Sequence, residues 1–132
     1  MISRRSLVLL LAAAAAGALV AAPALAAERI DYTPAAFDAA LGAGKPILVW
    51  IHASWCPTCK AQMPILARIE SEPQYKDLMV FRVDFDSQKD AVKRFGARMQ
   101  STLITFNGGK ETGRSVGDTD PASIAALVAK AG

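Results

Sequence analysis

The stretch PILVWIH, Pro46 to His52, is apolar at nearly every position and rich in β-branched and aromatic side chains. Such a run is covered on both faces, which makes it a central strand. Cys56-Pro57-Thr58-Cys59 follows at once and opens the stretch CKAQMPILARIESE. There Met63, Leu66 and Ile69 recur at helical spacing with Ile65 beside them, and Pro64 is expected to kink the helix. A buried strand that runs through two cysteines into a helix confines the chain to a sheet with helices packed on it.

The rest of the chain extends this pattern. Thr33 caps and Pro34 starts a helix over PAAFDAALGAG. LMVFRVDF reads as a second buried strand. SQKDAVKRFG reads as a helix capped by Ser87 and stopped by Gly96. TLITF and ETGRSV flank Asn107-Gly108-Gly109, a hairpin signal. DPASIAALVAKAG repeats the cap-then-proline start and sets Ile124, Leu127 and Val128 in one stripe. The order helix, strand, helix, strand, helix, hairpin, helix implies an α/β domain, with a central mixed sheet and helices on both faces.

The N-terminus reads differently. Arg4 and Arg5 precede SLVLLLAAAAAGALVAA, which carries no charge, and Pro23 and Ala24-Leu25-Ala26 follow. A basic start, an apolar middle and an A-x-A pattern describe a secretory signal peptide over residues 1–26, ahead of one domain over residues 27–132. SRRSL also resembles a twin-arginine signal, so either export route suits it. The leader carries part of the formal charge of +3 and inflates the hydrophobic share of 52%. No lysine or arginine run remains beyond it, which argues against nucleic acid or anionic lipid as a partner.

An exported chain can keep a disulfide, yet a cross-link that closes two residues adds almost no stability. Chemistry explains the pair better. Covalent haem attachment wants histidine after the second cysteine, and Lys60 stands there. A closed zinc site needs four ligands, and the chain has two cysteines and one histidine, His52. A metal site bridged by two chains, with two cysteines from each, stays open at this point. At a helix N-terminus an exposed Cys56 would be favoured as thiolate, and Cys59 one turn later would lie within reach of it. That suits attack on a foreign disulfide by Cys56 and resolution by Cys59.

Through these residues the chain resembles the thioredoxin family. KPILVWIHASWCPTCKAQMPIL is similar to the family's strand, W-C-x-x-C-K motif and proline-containing helix, VFRVDFD to its next strand, and RFGARMQSTLITFNGGK and SVG to its closing segments. The resemblance implies a thioredoxin fold and thiol–disulfide exchange, with Cys56 as nucleophile and Cys59 as resolving thiol. Trp55, Gln100 and Ser101 would meet the substrate, and Lys60 and Arg82 would shape the electrostatics.

Three departures accompany the resemblance. Ser101 stands where the family has a cis-proline. A cis bond there would cost about 3–4 kcal/mol, so Gln100–Ser101 is expected to be trans, or cis only under strain. Trp50 replaces a buried aspartate, which leaves Cys59 in need of another proton acceptor such as water. Arg82 cannot be that base, and its expected part is to favour the thiolate. His52 replaces a tryptophan, and packing is favoured over a proton relay.

The expectation is therefore a periplasmic thiol–disulfide oxidoreductase, a monomer with no prosthetic group that acts on disulfide-containing proteins as a reductant. A membrane thiol donor would recharge it, and after signal cleavage it would have no stable membrane insertion. A second reading is a non-enzymatic metal-binding or metallochaperone protein that uses Cys56 and Cys59, with His52 near the Ser101 loop. Soft thiolates would suit copper(I) or zinc there.

Overall fold

The computed structural model describes residues 16–18 and 26–132, so the expected leader lies almost wholly outside the described residues. No helix among the described residues is long and apolar enough to cross a membrane. The chain runs β1 (Glu28–Asp31), α1 (Pro34–Gly42), β2 (Ile47–His52), α2 (Pro57–Glu70) and a 3₁₀ turn (Pro73–Tyr75). It continues through β3 (Met79–Asp84), α3 (Lys89–Arg94), β4 (Thr102–Asn107), β5 (Lys110–Val116) and α4 (Pro121–Ala129). The five strands form one sheet in the order β1-β3-β2-β4-β5. β1 and β2 lie parallel to β3, while β4 runs antiparallel to both β2 and β5. This is the expected mixed sheet, and β2 is its central strand.

Alternation along β2 divides the interior. Leu48 and Trp50 point to one face, where Leu66 and Ile69 of α2 and Ile124, Leu127 and Val128 of α4 close over them. Ile47, Val49 and Ile51 point to the other, against Phe37 of α1, Phe81 of β3 and Phe95 just after α3. Burying both faces gives the strand its unbroken apolar sequence. Side-chain caps start two helices as expected: Thr33 Oγ1 accepts the Ala36 amide at 3.2 Å, and Asp120 Oδ2 accepts the Ser123 amide at 2.8 Å. Gly108 and Gly109 form the two-residue hairpin turn, with φ of 59° and 81° that glycine adopts without a Cβ clash.

The structure corrects three expectations. β1 was not anticipated: it is a short charged edge strand whose backbone pairs with β3, and it leaves no apolar pattern of its own. Ser87 does not cap α3, because its amide turns back to the Asp84 carboxylate at 3.1 Å and the helix starts after Gln88. On α2 the inward face is Cys59, Gln62, Leu66 and Ile69, while Met63 is exposed. A glutamine holds the inner position that the apolar spacing assigned to methionine.

Candidate active site

β2 delivers the chain to the N-terminus of α2, and Cys56 is the capping residue there, with φ −82° and ψ 114°. Its Sγ accepts the Cys59 backbone amide at 3.1 Å. A thiolate is favoured at such a position, because it satisfies a helix N–H and faces the positive end of the dipole. Burial opposes ionisation of Cys56. Hydrogen bonds from the Cys59 thiol and amide, from the Gln100 side chain and from the Thr58 backbone outweigh it, and the pKa falls below the ordinary thiol value. Cys59 shifts the other way. Burial, and then its thiol bond to Cys56, push it up to about 11. Both cysteines are free, so the pair joins one easily ionised thiol to one that resists ionisation.

The expected exposure of Cys56 is not found. Cys56 is 1% exposed and Cys59 0% exposed. The capping bond turns Cys56 inward, where it joins the core beneath α2 and α4, and the Gln100 side chain reaches its sulfur. A disulfide approaching this sulfur must move that cover.

Ser101 lies beside the cysteines, and its backbone contributes to the surroundings of Cys59. No peptide bond among the described residues is cis, so Gln100–Ser101 is trans as expected. The chain accommodates the position in another way: Ser101 has φ of +59°, the left-handed region that side chains disfavour. Four hydrogen bonds hold it. Its amide donates to Ile51 O at 2.7 Å and its hydroxyl to Gln100 O at 2.5 Å. Its carbonyl accepts from the Gly117 amide at 3.0 Å and from Gln62 Nε2 at 3.1 Å.

Gln62 is the functional-site residue that sequence reasoning missed. Its buried carboxamide accepts from Trp50 Nε1 at 3.0 Å and donates to the carbonyls of Ser101 and of Asp118, the latter at 2.9 Å. The available signal was a polar residue one turn after Cys59 on the inner face of an amphipathic helix. Trp50 is fully buried, with the Arg29 guanidinium 5.2 Å above its ring and the His52 ring against its edge at 4.6 Å. The indole brings no titratable group to Cys59.

The remaining sequence candidates spread outwards. Trp55 is 55% exposed, and its Nε1 donates to Asp86 Oδ2 at 2.7 Å. Lys60 is exposed on α2. Arg82 is paired with Asp31 at 2.8 Å rather than with a thiolate, and it lines a polar cleft of about 430 Å³ with His52, Ser54 and Asp84. Burial and the nearby Arg82 and Arg29 charges lower the pKa of His52 against the pull of Asp84. His52 thus packs on Trp50 as a neutral ring. Among the described residues, no group of three or more His, Cys, Asp or Glu side chains gathers to hold a metal. The metal-binding reading is left with the two thiols.

Comparison with known proteins bears on this geometry. The thioredoxin family model matches residues 28–130. A thioredoxin of Chlamydia muridarum is 36% identical over 84 residues, which cover 64% of this chain and 80% of that protein. A bifunctional thioredoxin reductase/thioredoxin of Mycobacterium leprae is 36% identical over 96 residues, and the chain spans only 21% of its length. Among solved structures, Trxlp of Edwardsiella tarda superposes with a TM-score of 0.75 at 40% identity, covering 76% of this chain and 98% of that one.

Proposed function

The chain belongs to the thioredoxin family, and from that premise we propose that it is a periplasmic reductant of protein disulfides whose nucleophile is Cys56. It is a thiol–disulfide oxidoreductase, as its thioredoxin relatives are. One observation carries the assignment of roles: the Cys59 amide lies 3.1 Å from Cys56 Sγ, with the first thiol held below the ordinary range and the second pushed up to about 11.

The Cys56 thiolate attacks one sulfur of a substrate disulfide. An S–S bond forms between Cys56 and that sulfur, and the other substrate sulfur leaves as a thiolate and takes a proton. Cys59 stays protonated during this step, which keeps the mixed disulfide from collapsing early. It then loses its proton to water and attacks Cys56 Sγ, so the second substrate sulfur leaves. The substrate gains two electrons and the chain ends as a Cys56–Cys59 disulfide. A membrane thiol donor returns those electrons by the same exchange. Trp55 and the Gln100–Ser101 loop form the surface on which substrate settles. Lys60, exposed on α2, adds positive charge to its surroundings.

Support for the reductant direction comes from the short connection between α2 and β3, which leaves no room for the helical insertion of strong oxidases in this family. Support for the periplasm comes from the leader-like sequence of residues 1–26. Equilibration of the couple with glutathione tests the direction. A potential near about −270 mV is expected, and one near about −120 mV would reverse the assignment. Loss of turnover in Cys56→Ser with the fold intact, and recovery of the protein from the periplasmic fraction, test the rest.

A further inference from the structure

Gln62 has no part in the exchange chemistry, yet it is fully buried, and both polar atoms of its carboxamide are bonded, one bond going to the Ser101 carbonyl beside the cysteines. A buried carboxamide is retained at low cost only when each polar atom is matched. Here the oxygen is matched by Trp50 of the central strand, and the nitrogen by two backbone carbonyls on either side of the β4–β5 hairpin. One of them belongs to Ser101. That residue keeps a left-handed backbone although it is not glycine, and such a conformation persists only where the surroundings over-determine it. Gln62, Gly117 and Ile51 supply the three bonds that hold its peptide groups. The next residue back, Gln100, brings its side chain near enough to Cys56 to favour the thiolate.

We propose that Gln62 is a positioning residue for disulfide exchange: its carboxamide clamps the Ser101 carbonyl and so sets where the Gln100–Ser101 loop meets both Cys56 and the substrate. The clamp rests on the oxidoreductase reading for its purpose, though its geometric effect can be tested without turnover. Trp50 filling the interior beside it makes the clamp possible, since the indole N–H fixes which end of the carboxamide faces the loop. Released from it, Ser101 relaxes out of the left-handed region. The loop then lifts from Cys56 and loses the shape that a protein substrate meets.

Two variants test this. Gln62→Met keeps the volume and removes all three bonds. Gln62→Glu keeps the acceptor for Trp50 Nε1 and can donate to one carbonyl only when protonated. Both are compared with wild type for insulin-disulfide reduction and for alkylation of Cys56 by iodoacetamide, at a temperature where circular dichroism shows them folded. Expected for Gln62→Met are a KM raised about tenfold with kcat within about twofold, and alkylation about tenfold faster. Gln62→Glu sits where burial and two facing carbonyls raise the carboxyl pKa, so it is expected to approach wild type while protonated and to behave like Gln62→Met once alkaline pH ionises it. KM and alkylation unchanged in folded Gln62→Met, with only thermal stability lowered, would overturn the clamp. If Gln62→Met does not fold, a Gln62→Glu that still matches wild type after alkaline pH has ionised its carboxyl overturns it. If wild type fails to reduce insulin, the reductase reading falls, and the alkylation rates alone still decide the clamp.

Discussion

The backbone amide of Cys59 donates to Cys56 Sγ at 3.1 Å, so the second cysteine stabilises charge on the first while its own sulfur lies in the core. One helical turn thus sorts two chemically identical side chains into one that ionises easily and one that resists ionisation. The consequences can be measured.

The alkaline limb of stability is expected to belong to Cys59. Its folded pKa of about 11 lies above the ordinary 9.0. Its neutral thiol therefore stabilises the fold fully below about pH 9, and that contribution is lost as pH climbs through about 11. Cys56 has the opposite sign: its depressed pKa stabilises above the unfolded thiol value and is lost as pH falls through the folded one. The thermal midpoint of the reduced protein is expected to drop across the alkaline window, and Cys59→Ala to drop less. Identical profiles would exclude Cys59 as the source.

Ser101 is expected to tolerate glycine better than alanine. Both variants lose the hydroxyl bond to Gln100 O, but alanine keeps the Cβ that disfavours φ of +59° and glycine is free of it. Urea denaturation should place Ser101→Gly above Ser101→Ala by about 1 kcal/mol. Equal stabilities would mean that the backbone leaves the left-handed region in solution.

Arg29 is expected to matter more than its place on an edge strand suggests. Its Nε and Nη2 donate to Glu70 Oε1 at 3.1 and 2.8 Å, and the same guanidinium covers Trp50. Burial raises the pKa of Glu70, and Arg29 pulls it down. Arg29→Met leaves the carboxylate without its partner, at a cost of about 1–3 kcal/mol near neutral pH. Without arginine the folded pKa of Glu70 moves further above its unfolded value, so the penalty is present at neutral pH and fades as pH falls through that value. Denaturation curves near neutral pH and in mild acid check both halves.

Gly113 tests packing away from the cysteines. A Cβ there would lie 2.7 Å from Leu127 Cδ1 and 3.1 Å from both Lys130 Cδ and Thr105 Oγ1. Gly113→Ala is expected to push the Leu127 and Lys130 side chains aside at a cost of about 1 kcal/mol, with turnover per folded molecule unchanged. A loss of turnover in fully folded protein would contradict this.

Much of this architecture was legible because local signals agreed with the fold. Thr33-Pro34 and Asp120-Pro121 mark helix starts, Gly108-Gly109 marks a turn, and PILVWIH announces a strand covered twice. What stayed hidden depends on which partner a group finds rather than on its own residue type. β1 exists because β3 offers it a ladder, and nothing in Glu28-Arg29-Ile30-Asp31 states this. Ser87 looked like a cap until Asp84, three residues earlier, took its amide. The cysteine pair and its neighbours were readable from order and spacing. The left-handed Ser101 and the carboxamide of Gln62 were not, since Gln62 meets partners 39 and 56 positions along the chain, and the inward turn of Cys56 follows from a capping bond whose direction spacing does not give.

The two tryptophans of the chain stand in opposite surroundings. Trp50 is sealed in the interior with its indole N–H on Gln62, and Trp55 faces solvent with its own on Asp86. The molecule therefore carries two built-in fluorophores with separate duties. Emission from the inner one is expected to follow the integrity of the fold, and emission from the outer one to change if another chain lands beside Cys56, so unfolding and encounter could be watched in one cuvette without a label.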